Sequence, residues 1–157
     1  MLLYLAEERT MAIAEILREK GADVYQIGPN ATVFTAIQLM VARGVGSVAV
    51  VEDGRLIGML TERDYLRKVV LEGRTSRATL VREIMTPRVI VAMPSDGIDD
   101  CLGVMTTHRV RHLPVLEHGR LIGLVSMGDL VKRKVAEKER EISQLVEYIQ
   151  TAGCPLA

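Results

Sequence analysis

The chain has 157 residues, of which 48% are apolar but only 3% aromatic, and its twenty acidic and twenty basic residues cancel. That is enough aliphatic material for one compact domain, or for two small halves sharing a core. The zero net charge and the scarcity of aromatics argue against nucleic-acid binding by bulk electrostatics or base stacking, and no run is long enough for a membrane span.

Met1 to Thr10 is apolar at first but turns acidic too soon for a signal peptide, and reads as an N-terminal extension. Met11 to Lys20 places Ile13, Ile16 and Leu17 on one helical face and stops at Gly21. Asp23 to Ile27 predicts a brief strand. Val33 to Arg43 predicts a helix, with Thr32 or Asn30 as its cap and Gly44 closing it. Ser47 to Val51 and Leu56 to Leu60 predict paired strands around an Asp53-Gly54 turn, and Thr61 opens a helix to about Leu71. The polar stretch 74–79 is the expected linker. A short helical turn over 80–85 and a strand over 89–91 follow. Next come a helix face at Ile98, Cys101, Leu102 and Met105, strands over 112–116 and 121–125, and a last helix from Ser126.

The second series repeats the first. Gly54 to Val70 (GRLIGMLTERDYLRKVV) returns at Gly119 to Val135 (GRLIGLVSMGDLVKRKV), identical at seven of seventeen positions and offset by sixty-five. The chain therefore reads as two copies of one β-α-β-β-α unit, over 11–73 and 80–135, followed by a C-terminal helix and tail over 136–157. A strand pair this small does not stand alone, so the expected fold is α/β (α+β), with the units packed sheet to sheet about a pseudo-two-fold axis. Beyond Asp129, Val131, Val135, Ile142, Leu145, Val146 and Ile149 form an apolar stripe, interrupted at Lys138, in a charge-dense helix. Such a stripe is buried only against another segment or another chain.

Cys101 falls in an apolar helical pattern and Cys154 in a terminal Gly-Cys-Pro, which suits a reducing cytoplasm rather than a disulfide or metal site. His108, His112 and His118 have no cysteine or carboxylate at ligand spacing. No nucleophile–base–orienter set is present, so the chain does not read as an enzyme.

Each unit ends as a Gly-Arg-Leu-Ile-Gly strand, then Ser/Thr-x-x-Asp, then a helix. With His112-Leu113-Pro114-Val115 in the preceding strand and Glu83-Ile84-Met85-Thr86-Pro87 at the entry to the second copy, this resembles the cystathionine β-synthase (CBS) domain in tandem, a Bateman module. The resemblance covers about Met11 to Val135 and is similar to small stand-alone bacterial pairs. It implies a regulatory sensor that binds an adenosine-containing ligand (AMP, ADP, ATP, S-adenosyl methionine or NAD(H)) between the copies and signals to a partner protein. A homodimer through the helices flanking the sheets is implied as well, and the apolar stripe of the C-terminal helix points to a higher assembly. The alternative is a structural oligomerisation module with vestigial clefts.

Carried onto this sequence, the resemblance implies one site from Thr61 and Asp64, with Thr86, Ile90 and Val110 opposite and Arg63 toward phosphate. It implies a second from Ser126 and Asp129, with Lys20, Tyr25 and Val45 opposite and Arg111 and His112 at the phosphate. Gly46-Ser47 stands where the second copy has Arg111-His112, so the sites need not take the same ligand. The chemistry suits the residues. A carboxylate accepts from both ribose hydroxyls, and a helix N-terminus favours phosphate. Either Ser/Thr-x-x-Asp alone would be read as a capping box, and capping is compatible with binding. Gly58 and Gly123 are expected to permit close packing rather than to touch ligand.

Overall fold

A computed structural model describes residues 11–21 and 23–153; the N-terminal extension and Cys154 lie outside the described residues. In order these form α1 (Ile13–Lys20), β1 (Gln26–Ile27), α2 (Val33–Arg43), β2 (Ser47–Glu52), β3 (Arg55–Thr61), α3 (Glu62–Tyr65), α4 (Val81–Ile84), α5 (Ile98–His108), β4 (His112–Glu117), β5 (Arg120–Ser126) and α6 (Met127–Ala152). The first half carries a sheet in the order β1-β2-β3 and the second a sheet of β4 and β5.

The two hairpins are near copies. Ser47 pairs with Thr61 and Glu52 with Arg55, while His112 pairs with Ser126 and Glu117 with Arg120, each with one register irregularity. Both turns hold their central pair at positive φ, Asp53 at 51° and Gly54 at 75°, His118 at 49° and Gly119 at 77°. That is the type I′ geometry that matches strand twist, which is why Asp-Gly and His-Gly occupy these positions. The α2 helix starts as expected, with the Thr32 hydroxyl accepting from the Thr35 N–H at 3.2 Å, and ends at Gly44 with φ 64°.

The predicted strand over 89–91 does not form. Ala92 alone bridges to Val115, in parallel. The cause is Pro114. In the first half Ala49, its counterpart, donates its N–H to the Tyr25 carbonyl at 3.0 Å and so holds β1 in the sheet. A proline has no N–H to give, and the corresponding strand shrinks to the bonds made through Ala92. The predicted strand over 23–27 is likewise shorter, only Gln26–Ile27. The helix expected from Thr61 to Leu71 is an α-helix for its first turn and then a π turn over Leu66–Val70, closed by Leu71 N–H to the Leu66 carbonyl at 3.0 Å. The chain leaves the helix there through Gly73 at φ 67°, and a widened last turn is one way a helix C-terminus unwinds.

The largest departure from sequence order is an exchange. Helix α1, which belongs to the first unit by sequence, packs in the second half. Ile13, Ile16 and Leu17 form one buried cluster with Ala92, Ile98, Cys101, Met105, Leu113, Val115, Val125 and Leu130. Reciprocally, Val81 and Ile84 of α4 pack with Val33, Met40, Val48, Val50, Leu60 and Val69 of the first half. Neither strand pair could cover its own face, and each takes its missing helix from the segment preceding the other copy. Glycines make the approach possible: a Cβ at Gly123 would lie 2.5 Å from a Leu17 methyl, and one at Gly58 2.7 Å from the Met85 sulfur and 3.0 Å from the Thr86 carbonyl. The close-packing role expected of this pair is what the geometry shows.

Helix α6 runs on past the second half. Leu130 is its one wholly buried residue, and every side chain from Lys138 to Gln150 is exposed.

Candidate functional site

Asp64 and Asp129 occupy equivalent positions in the first turns of α3 and α6. In both, Ser/Thr and Asp close a reciprocal capping box. The Asp64 N–H donates to the Thr61 hydroxyl at 3.2 Å and the Thr61 N–H to Asp64 Oδ2 at 3.0 Å. The Asp129 N–H donates to Ser126 at 3.1 Å and the Ser126 N–H to Asp129 Oδ2 at 2.9 Å. The next helix N–H groups reach to the loop before the middle strand: Glu62 N–H to the Gly46 carbonyl at 3.0 Å, Met127 N–H to that of Arg111 at 2.8 Å. Thus Gly46-Ser47 and Arg111-His112 are held beside the two helix starts by the same backbone bond.

The two carboxylates differ in what surrounds them. Asp64 is 8% exposed and fully engaged. Its Oδ2 also accepts from the Thr61 hydroxyl at 3.0 Å, and its Oδ1 accepts from Thr86 at 3.4 Å and lies 3.1 Å from the Lys68 ammonium. Lys68 is braced in turn on the Ile84 carbonyl at 2.8 Å. The spacing of Asp64 and Lys68, one helical turn apart with the acid nearer the N-terminus, was the available sequence signal for a lysine that motif reasoning missed.

Asp129 is more open, its side chain 26% exposed. Its Oδ2 accepts from Lys20 at 2.5 Å, and Lys20 also donates to the Leu124 carbonyl at 3.0 Å. Its Oδ1 takes no hydrogen bond among the described residues. The lysine here comes from exchanged α1, across more than a hundred positions of sequence. His112 sits half-buried nearby, its pKa lowered by burial and by the cations Lys20 and Arg111, against the opposing pull of Asp129. For Asp129 burial raises the pKa, but the hydrogen bonds from Lys20 and Ser126 and the Lys20 charge outweigh it, and the net shift is downward. At neutral pH Asp129 is an ionised carboxylate paired with Lys20, with a largely neutral imidazole nearby.

Of the residues expected at the first site, Thr61, Asp64 and Thr86 are brought together. Ile90 and Val110 pack against the apolar cluster of the second half, and Arg63 is exposed and makes no ion pair among the described residues. At the second, Ser126, Asp129 and Lys20 are joined by hydrogen bonds with His112 nearby, while Arg111 is exposed and reaches the helix start through its backbone carbonyl. Tyr25 and Val45 flank the apolar cluster of the first half, and the Tyr25 ring lies 5.2 Å under the Arg43 guanidinium. Among the described residues no three of His, Cys, Asp or Glu are grouped to hold a metal, and no helix is long and apolar enough to cross a membrane.

Fold and site together define a duplicated, internally exchanged module with two unequal carboxylates, each in the first turn of a helix. The model of the CBS domain matches residues 13–71 and 81–136, and the chain belongs to the CBS-domain family. It is 36% identical over 147 residues to the mitochondrial CBS domain-containing protein CBSX3 of Arabidopsis thaliana, covering 88% of this chain and 71% of that one. It is 34% identical over 115 residues to the CBS domain-containing protein YhcV of Bacillus subtilis, covering 73% and 81%. A CBS-domain structure from Burkholderia ambifaria MC40-6 superposes with a TM-score of 0.77 at 48% identity, covering 80% of this chain and 95% of that one. No catalytic family is indicated. The match to inosine-5'-monophosphate dehydrogenase of Thermoplasma acidophilum spans only 26% of that enzyme.

Proposed function

We propose that the chain is an adenine-nucleotide sensor, and that the phosphorylated ligand binds at Asp129 rather than at Asp64. The observation that carries this reading is the Oδ1 of Asp129, without a hydrogen bond among the described residues, in the first turn of a long helix with Lys20 on the other oxygen and His112 nearby. Vicinal ribose hydroxyls find an ionised acceptor there, and a phosphate finds the Lys20 ammonium and the positive end of the helix dipole, with Arg111 on the adjoining loop. Asp64 offers neither: both its oxygens are taken and Glu62, not a basic pair, stands next to Gly46. A fold of this kind can hold adenosine compounds, since the CBS pair of MJ0100 is in complex with 5'-methylthioadenosine and S-adenosyl-L-methionine.

Binding at Asp129 acts on the seam. Lys20 must leave Oδ2 or share the ligand, and Lys20 belongs to α1 while Asp129 opens α6, so the angle between those helices changes. Helix α6 carries that change outward to a regulated protein in the cytoplasm, a shift between two arrangements rather than a chemical step.

Isothermal titration of AMP, ATP, NAD(H) and S-adenosyl methionine tests this. Asp129→Asn removes a charged acceptor worth about 1.5–3 kcal/mol, so the bound nucleotide should weaken by roughly tenfold to a hundredfold. Asp64→Asn should leave its affinity nearly unchanged. If no member of the panel binds the intact chain, the module is a structural one with vestigial clefts.

A further inference from the structure

We propose that the outer part of α6 pairs with the same helix of a second copy of this chain as a parallel, in-register, two-stranded coiled coil. The inference is independent of the nucleotide reading. Beyond Glu137 every side chain as far as Gln150 is exposed, and about four turns with so little packing are marginal as a helix in water. Yet this stretch exposes Ile142, Leu145 and Ile149, each at 60% or more.

These residues keep a seven-residue repeat. Val135, Ile142 and Ile149 fall at one core position, and Val131, Lys138, Leu145 and Ala152 at the other. β-Branched residues at the first position with leucine at the second favour two parallel strands. Lys138 fixes the direction. In an antiparallel pair each residue of the second set meets one of the first, and Lys138 would face an apolar Val135, Ile142 or Ile149 across the seam. In a parallel pair it meets its twin, but the hole that receives it includes Glu139 of the second copy, while Glu141 of its own helix already lies 2.9 Å away.

The body does not obstruct this pairing. The line of α6 facing its own half runs through Leu130, Arg133 and Glu137, one residue or about 100° round from the repeat. A two-fold axis along the seam therefore places the two bodies on opposite flanks of the coil.

The test uses the full chain. Ile142→Lys with Leu145→Lys should halve the mass measured by light scattering and leave the thermal melt of the body unchanged, because both side chains are exposed in the single chain. Direction is read by oxidation in a Cys154→Ser background. Cys101 is silent there, being buried with its thiol pushed up to about 11. Ile149→Cys should give a covalent dimer joined through the two equivalent positions. An unchanged mass in the double lysine variant overturns the proposal. So does a disulfide that forms only when Ile149→Cys chains are mixed with Lys138→Cys chains.

Discussion

Replacing Gly123 with alanine tests the helix exchange on which the Asp129 site depends. The added Cβ would stand 2.5 Å and 2.9 Å from the two Leu17 methyls and 3.3 Å from Cγ, all inside ordinary contact. Leu17 is 8% exposed and hemmed in by Ile13, Ile16 and the β4–β5 sheet, so it can yield only by moving α1. Overpacking of this kind costs about 1–3 kcal/mol. In a chain of this length each kcal/mol lowers the melting temperature by about 2–4 °C. Leu17→Ala alone should cost about 2–5 kcal/mol through the cavity it leaves. The double variant should cost less than the sum, by about 0.5–3 kcal/mol, because the truncated side chain makes room for the new methyl. Urea denaturation of the four proteins reads all three quantities. Because α1 carries Lys20, Gly123→Ala should also weaken nucleotide binding at Asp129. A Gly123→Ala midpoint equal to wild type, with additive double-mutant energies, would refute α1 packing on the second sheet.

The same substitution has the opposite sign at Gly103, which lies mid-helix in α5 with nothing within 4 Å of its missing Cβ. Gly103→Ala should stabilise by about 0.5–1 kcal/mol in the same urea assay. Pro114→Ala restores the N–H that Ala49 provides in the first half, and hydrogen exchange by NMR should show a newly protected amide at position 114. The pKa of His112 lies below its ordinary 6.5 in the free protein, and a bound phosphate would raise it. Proton uptake therefore accompanies phosphate binding, and affinity should rise as pH falls through the region around and below 6.5. That slope should be seen for AMP, absent for adenosine, and lost in His112→Gln.

The hairpins were legible because Asp53-Gly54 and Glu117-His118-Gly119 are local turn signals, and the doubled Gly-Arg-Leu-Ile-Gly made the duplication explicit. Both capping boxes were legible for the same local reason, Ser/Thr and Asp three residues apart. The loss of the strand over 89–91 is readable only once strand pairing is known, because Pro114 acts on a neighbour twenty-odd residues earlier rather than on its own strand. The α1 exchange is less legible still. The amphipathic face of Ile13, Ile16 and Leu17 says that it must be buried but not against which of two nearly identical sheets. Lys20 and Lys68 show the contrast within the site itself. Lys68 reaches Asp64 along its own helix and could have been found by spacing, whereas Lys20 reaches Asp129 only through the exchange. That difference in origin leaves one carboxylate saturated and the other with an open oxygen.

The most direct measurement is a crystal structure of the full chain soaked with AMP. The ribose hydroxyls should lie on Oδ1 of Asp129 and the phosphate against Arg111 and His112, with Lys20 displaced from its present bond. Density for AMP beside Asp64 and Glu62 instead, with Lys20 still on Asp129, would contradict the account.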